Sequence, residues 1–216
     1  MVTGATGGIG RELVGMLTAM GEQVLACGRS ADTLRELPAV PVIIDLSDPA
    51  SLAGDPALTG LQRLDGLVHA AGIVGLGTVA DTPYQVWLDQ LTVNLAAAAE
   101  LTRVLLPALR AASGRVVFVN SGAGIRANAG WGAYAASKHG LRALADALRA
   151  EEPALRVTTV FPGRTDTPMQ QAVRAAEGGP YEADEYLRPT TVAEAILAAL
   201  NSPQDAHLTE LVLRPA

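Results

Sequence analysis

Lysine is almost missing from this sequence. Among 16 basic residues a single lysine, Lys138, stands against fifteen arginines, so wherever any cation serves, the chain uses arginine. Cysteine is equally scarce, and Cys27 alone excludes an internal disulfide framework and a multi-cysteine zinc site. Positive charge is in deficit: 22 acidic residues give a net charge of −6. That balance, with no Lys/Arg cluster, argues against nucleic acid or an anionic membrane as a partner. No run of about 18 consecutive apolar residues occurs, and no charged segment followed by an apolar one opens the chain. The reading is a soluble, cytoplasmic protein. What is present is a globular composition, 49% hydrophobic and 18% charged, which argues against disorder. The 216 residues are ample for one domain with a buried core.

Short β-rich runs alternate with longer helix-like stretches. Strands are predicted over residues 1–3, 23–27, 40–44, 66–70, 115–120, 156–161 and 210–213, and helices over 10–20, 31–36, 83–111, 133–150 and 192–200. Several strand runs, VVFV and VIID among them, are continuously apolar, which suits a sheet covered on both faces. Strand-helix alternation implies parallel strands joined by right-handed crossovers. The fold class expected is therefore α/β: one Rossmann-like doubly wound sheet of about seven strands, in a single domain over residues 1–216. Its first strand is shortened, because Thr3-Gly4 already reads as the following turn. Either that strand is unusually short or the chain's start is not its natural one.

Thr3-Gly4-Ala5-Thr6-Gly7-Gly8-Ile9-Gly10 joins the first strand to an amphipathic helix. Glycines let a backbone turn tightly and approach a pyrophosphate, which then meets the free N–H groups at the helix N-terminus. No Gly-Lys-Ser/Thr follows, so a dinucleotide is favoured over a nucleoside triphosphate. Dinucleotide folds often place an acid at the tip of the second strand to hold the adenosine ribose. Here the tip reads Cys27-Gly28-Arg29-Ser30 and carries none. Arg29 and Ser30 offer donors to a 2′-phosphate, which favours NADP over NAD as the cofactor; the competing reading is a solvated loop arginine.

Tyr134 and Lys138 are four residues apart on one predicted helix, so their side chains share a face. An ammonium beside a phenol favours the phenolate, making Tyr134 an acid/base candidate whose ordinary pKa is about 10. Ser121 ends the fifth strand at the carboxyl edge, thirteen residues before Tyr134. Its hydroxyl could polarise a substrate carbonyl, although an isolated serine at a strand end is ordinarily a turn or cap residue.

Thr3-Gly4-x-x-x-Gly8-x-Gly10, Asn94, Ser121, Tyr134-x-x-x-Lys138 and Pro162-Gly163-x-x-x-Thr167 together resemble the short-chain dehydrogenase/reductase family. The match runs in order over essentially the whole chain. The resemblance implies hydride transfer between a nicotinamide cofactor and a small carbonyl or secondary alcohol. It makes Tyr134 the acid/base and Ser121 the carbonyl anchor. Lys138 would lower the phenol pKa and hold the nicotinamide ribose, while Asn94 would hold a relay water. Gly4, Thr6, Gly8, Ile9 and Gly10 match the pyrophosphate turn, Asp45 and Leu46 the adenine contact, and Ala71 and Gly72 the turn after strand four. Pro162, Gly163, Thr165 and Thr167 match the segment holding carboxamide and diphosphate. One departure is His69-Ala70-Ala71-Gly72, where the family has Asn-Asn-Ala-Gly; His69 reads as a core histidine ahead of a proton donor. Gly7 and Gly8 also satisfy the turn of the epimerase-like branch, but little sequence follows strand six to build its extra domain.

Loops 73–82, 122–132 and 164–188 overlie the carboxyl edge and should set specificity. The last is acidic and small-residue-rich, a mobile lid or a plain solvated loop. The tail YLRPTTVAEAILAAL resembles the subgroup acting on short 3-hydroxy acids, with Arg126 or Arg164 placed to anchor a carboxylate. By family analogy the chain forms a homo-oligomer, dimer or tetramer, through its long Ala-rich helices. The alternative class is a non-catalytic NADP(H)-binding sensor or scaffold, which need not keep the Tyr/Lys/Ser/Asn set.

Overall fold

The computed structural model describes residues 1–203 and 205–216. Seven strands form one parallel sheet in the order β3-β2-β1-β4-β5-β6-β7. They are β1 (Val2–Thr3), β2 (Leu25–Gly28), β3 (Val40–Ile43), β4 (Gly66–His69), β5 (Arg115–Val119), β6 (Arg156–Pro162) and β7 (Glu210–Leu213). The helices are α1 (Gly8–Ala19), α2 (Ala31–Arg35), α3 (Pro56–Thr59), α4 (Tyr84–Leu91), α5 (Ala97–Ala112), α6 (Gly132–Glu151), α7 (Pro168–Ala176) and α8 (Pro189–Leu200).

Both sheet faces are covered, as the continuous apolar runs require. On β5, Val116 and Phe118 join a core with Leu101, Leu105 and Leu109 of α5 and Leu141 of α6. Val117 and Val119 point the other way, onto Leu13 and Val14 of α1 and Val192 and Ile196 of α8. This two-residue alternation is the pleat sorting side chains to opposite faces. β1 is only two residues long, yet it pairs in parallel with both β2 and β4. A hydroxyl strengthens that seam: Thr3 Oγ1 donates to Val68 O and accepts from the N–H groups of Ala70 and Ala71.

Three elements differ from the sequence reading, the first being the short helix α3, which no predicted element covers. The predicted 83–111 helix is one rod, but residues Thr92–Ala96 form a π-helical turn between α4 and α5. Tyr84–Ala112 is long and apolar enough to cross a bilayer; here its apolar face, Leu101, Leu105 and Leu109, is spent on the core. α7 lies in the 164–188 stretch that the sequence reads as a loop. Thr167 caps it by accepting from Gln170 N at 3.2 Å, with Pro168 at its first position, a start signal present in the sequence.

Strand order reverses between β1 and β4, and in open α/β sheets the crevice outside the carboxyl ends at such a point binds ligands. The segments leaving β1, β4, β5 and β6 all open onto it.

Candidate active site

A cavity of about 620 Å³ lies at that crevice. Its floor is the turn between β1 and α1. Gly4 has φ +63°, and a Cβ there would lie 2.8 Å from the Ala71 backbone. A Cβ on Gly10 would stand 2.2 Å from Gly4 O, and one on Gly8 2.6 Å from Thr167 Cγ2. The turn is thus packed against its own backbone and against the start of α7, with no room for side chains. α1 is capped by Gly7, which brings no side-chain hydrogen bond, leaving first-turn N–H groups for an anion. This bare, glycine-cleared helix start fits a dinucleotide pyrophosphate. Thr6, Gly8, Ile9, Asp45, Leu46, Ala71, Gly72, Pro162, Gly163, Thr165 and Thr167 also line the cavity.

Arg29 lines the cavity at the tip of β2 and is exposed. Ser30 does not line it; its Oγ accepts from Thr33 N and caps α2. Asp45 accepts from the backbone N–H and hydroxyl of Ser47 at 2.9 and 2.8 Å. Those bonds, and Arg29 more weakly, hold its carboxyl below the ordinary value.

Tyr134, Ser121 and Lys138 line the same cavity. Tyr134 is buried with Trp131 edge-on at 5.8 Å. Burial pushes its phenol up to about 12, while the adjoining Ser121 hydroxyl hydrogen-bonds it and pulls the other way. The lowered phenol pKa expected from Lys138 is therefore corrected. The reason is geometric: Lys138 Nζ lies 5.8 Å from the ring centroid and donates to Val119 O at 3.0 Å. Burial in turn brings the ammonium down to about 8.

Asn94 does not line the cavity; it sits buried behind Gly72 and Ile73. Its amide accepts from Ile73 N at 2.8 Å and donates to Ile73 O and Ser137 Oγ, both at 2.9 Å. Ser137 Oγ donates to Tyr134 O at 2.7 Å. The π-helical turn thus ties the loop after β4 to the helix carrying Tyr134. A Cβ on Gly72 would be 3.2 Å from Asn94 Oδ1 and 3.7 Å from Lys138 Nζ, so the absent side chain keeps this corner open.

Sequence reasoning missed Asn120. Its Nδ2 donates to Lys138 O at 2.9 Å and its Oδ1 accepts from Ser121 N at 2.8 Å. One buried amide therefore positions both the strand end holding Ser121 and the helix holding Lys138. A Cβ on Gly124 would meet Asn120 Oδ1 at 2.1 Å, a signal no spacing rule carries. His69 is a core residue, as expected. Its ring stacks on Phe118 at 4.8 Å and burial lowers its pKa to about 3. Thr102 Oγ1 donates to Ala98 O, so His69 Nε2 is the donor in their 2.9 Å bond.

The 164–188 segment is tied down by its own residues. Arg164 forms a two-pronged pair with Glu177 at 2.8 and 2.7 Å, and Arg174 adds a third bond at 2.7 Å. Tyr181 donates to Asp166, and Leu187 pairs with the backbone of Arg164. Arg164 is thereby committed within this segment and stacked over Trp131. Arg126 lines the cavity, is exposed, and its side chain has no partner among the described residues.

A sequence model of the family described as short chain dehydrogenase matches residues 1–178. The chain belongs to the short-chain dehydrogenase/reductase family. It is 36% identical to dehydrogenase/reductase SDR family member 7B of Bos taurus over 93% of this chain and 69% of that protein. It is 34% identical to the uncharacterized oxidoreductase YciK of Escherichia coli over 82% of this chain and 77% of that one. In fold, this short-chain dehydrogenase is similar to an alcohol dehydrogenase of Thermococcus sibiricus complexed with 5-hydroxy-NADP. The TM-score is 0.89 at 25% identity, covering 100% of this chain and 95% of the other. A variant actinorhodin polyketide ketoreductase with NADPH gives 0.88 at 26% identity, over 99% and 95% of the two chains. Members of this family are NAD(P)-dependent oxidoreductases acting on CH–OH and C=O groups, and this chain is one of them.

Proposed function

We propose that residues 1–216 form a single domain that transfers a hydride between NADP(H) and a small carbonyl or secondary alcohol, a short 3-hydroxy acid or its 3-oxo partner fitting best. The observation that carries this reading is the pairing of the Tyr134 phenol with the Ser121 hydroxyl across one cavity from the bare N-terminus of α1. Gly4, Gly8 and Gly10 make room for the pyrophosphate, and Arg29, with no acid at the tip of β2, favours the 2′-phosphate. Asp45 and Leu46 would flank the adenine, and Thr165 and Thr167 the carboxamide side. When bound, the nicotinamide supplies or accepts the hydride at the substrate carbon.

The rest is done by the chain's own groups. Ser121 Oγ donates to the substrate oxygen and holds it beside Tyr134. As negative charge grows on that oxygen in reduction, Tyr134 Oη gives up its proton, leaving the alcohol. A phenol held near 12 stays loaded as an acid at neutral pH. Lys138, with one N–H on Val119 O and no other acceptor among the described residues, presents its remaining N–H groups to ribose hydroxyls. Asn94 and Asn120 position the loop, the strand end and the helix.

The carboxylate of a hydroxy acid would go to Arg126, since Arg164 is held by Glu177. Exposed Tyr84 and Leu88 on α4 support a homo-oligomer, and the acidic surface agrees with a cytoplasmic protein that binds neither nucleic acid nor membrane. The test is NADPH and NADH titration, then a carbonyl panel on wild type and Tyr134→Phe. Tighter NADPH binding and loss of turnover in Tyr134→Phe are expected. Tighter NADH binding removes the role of Arg29, and turnover surviving in Tyr134→Phe removes the mechanism. Arg126→Ala should raise KM for acids and spare the matching neutral alcohols; equal effects on both remove the acid assignment.

A further inference from the structure

The cavity is cationic inside an acidic protein. Among the described residues, four arginines and Lys138 line it against one carboxylate, Asp45, whereas the whole chain carries −6. A cleft lined by one sign of charge gathers ligands of the other. Arg164 is neutralised by Glu177, Arg29 stands at the tip of β2 for the 2′-phosphate, and Lys138 faces the ribose. Arg126 and Arg214 remain, and hydride transfer gives Arg214 no task.

Arg214 directly follows β7, and its side chain lies back across the carboxyl ends of the neighbouring strands. Nη1 donates to Leu213 O at 2.9 Å and to Phe161 O, at the end of β6, at 3.2 Å. Nη2 is 3.5 Å from the place a Cβ on Gly122 would take, and Cζ and Nη1 are 3.7 Å from it. The guanidinium therefore rests over the bare side of the residue next to Ser121. Nε and Nη2 have no acceptor among the described residues, and no carboxylate pairs with them. Arg126 reaches the same glycine through its backbone, donating to Gly122 O at 3.0 Å.

The cofactor's phosphates do not account for Arg214. The pyrophosphate turn follows β1 and Arg29 follows β2, whereas Gly122 lies just past β5 and Phe161 ends β6. Those strands are two and three places from β1, on the side away from β2, about 10 to 14 Å at sheet spacing. A guanidinium bonds an anionic oxygen only within about 3 Å.

We propose that Arg214 is a specificity-determining residue whose free guanidinium N–H groups bind the carboxylate of the substrate while Ser121 holds its carbonyl. Arg126 serves the same carboxylate as a second cation. This rests on the reading of the cavity as a carbonyl reductase site and sharpens its substrate class to the charged acid over the neutral ester. The two anchors sit over adjacent residues, which suits a short acid.

The experiment compares acetoacetate with its methyl ester, the same ketone with and without the charge, at saturating NADPH. Wild type should prefer the acid. In Arg214→Met the acid-to-ester ratio of kcat/KM should fall about thirtyfold, through KM. Arg214→Lys, which keeps the charge and loses the fork, should retain part of the preference. The Kd of NADPH should stay within about twofold, because its phosphates are too distant to couple. Gly122→Asp tests the same contact with Arg214 in place. A Cβ there meets nothing closer than 3.5 Å, and the added carboxylate should occupy the guanidinium and lower the ratio as well. An unchanged ratio in Arg214→Met overturns the proposal; where that variant fails to fold, an unchanged ratio in Gly122→Asp does. Equal losses on acid and ester assign Arg214 to holding the strand ends, and weakened NADPH binding in step with activity assigns it to the cofactor; both overturn it. Reduction of both ketones by wild type without preference fails only the role of Arg214; reduction of neither fails the carbonyl reading itself.

Discussion

Lys138 Nζ donates to the carbonyl of Val119 at 3.0 Å and stands 5.8 Å from the ring centre of Tyr134. The ammonium is thus anchored to the end of β5, beside the tyrosine without touching its hydroxyl. A compact cation with one N–H on a strand carbonyl and two to spare is what this corner accommodates. Lys138→Arg keeps the charge but brings a planar fork into space bounded by Gly72 and Asn94. We expect kcat/KM to fall about a hundredfold or more. Near-normal activity would mean that the one lysine has no chemical reason for its position.

Removing the charge should separate function from stability. Burial lowers the Lys138 pKa from 10.5 to about 8, so the folded state binds this proton less readily than the unfolded one. The resulting penalty is full below pH 8 and gone above about 10.5. Lys138→Met should therefore abolish activity while holding or raising Tm at pH 7, with the gain shrinking toward pH 10. A variant markedly less stable at pH 7 would show that the bond to Val119 outweighs desolvation.

The two directions of reaction should respond oppositely to pH. Tyr134 titrates near 12, so the phenol is protonated and ready for reduction throughout the neutral range. Oxidation needs the phenolate, and its kcat should climb with pH until the protein unfolds. Tyr134→Phe should lower both by about 10²–10⁴-fold and remove the slope. A bell-shaped oxidation profile centred near neutrality would contradict the assignment of Tyr134 as the titrating base.

Two glycines should fail for different reasons. A Cβ on Gly10 meets backbone, Gly4 O at 2.2 Å, whereas one on Gly8 meets the side chain of Thr167 at 2.6 Å. Gly10→Ala should cost stability, about 2–3 kcal/mol or more in denaturant titration. Gly8→Ala should displace Thr167 and the start of α7, weakening NADPH binding more than Tm. If both variants lose stability equally and bind NADPH equally, that division is wrong.

The 164–188 segment has its own acid limit. Arg164, then Arg174, hold Glu177 down at about 2, well below its ordinary value of 4.5. A depressed carboxylate contributes stability that is complete above about 4.5 and is lost as pH falls through 2. Hydrogen exchange of residues 164–188 should rise over that window ahead of the core. Glu177→Gln should raise it already at pH 7, with KM affected more than kcat. Exchange unchanged in Glu177→Gln would mean the arginine clamp does not order this segment.

Most of the architecture was legible in the residues alone. Parallel strands followed from continuously apolar runs between helices, because a strand buried on both faces needs no alternation. The glycine turn and the Tyr134–Lys138 pair were legible because close backbone approach and a four-residue helical spacing depend only on local geometry. The cap of α7 was also local, Thr167 before Pro168, and could have been read. The contacts that escaped the sequence join groups far apart in the chain. Asn120 binds Lys138 O and Ser121 N, Asn94 clamps Ile73, and Arg164 is claimed by Glu177. Each depends on distances that folding creates. The same holds for protonation: the sequence shows a lysine near a tyrosine, but burial decides that the phenol goes up and the ammonium down. Desolvation depends on the packed surroundings of a group, and no spacing along a chain reports it.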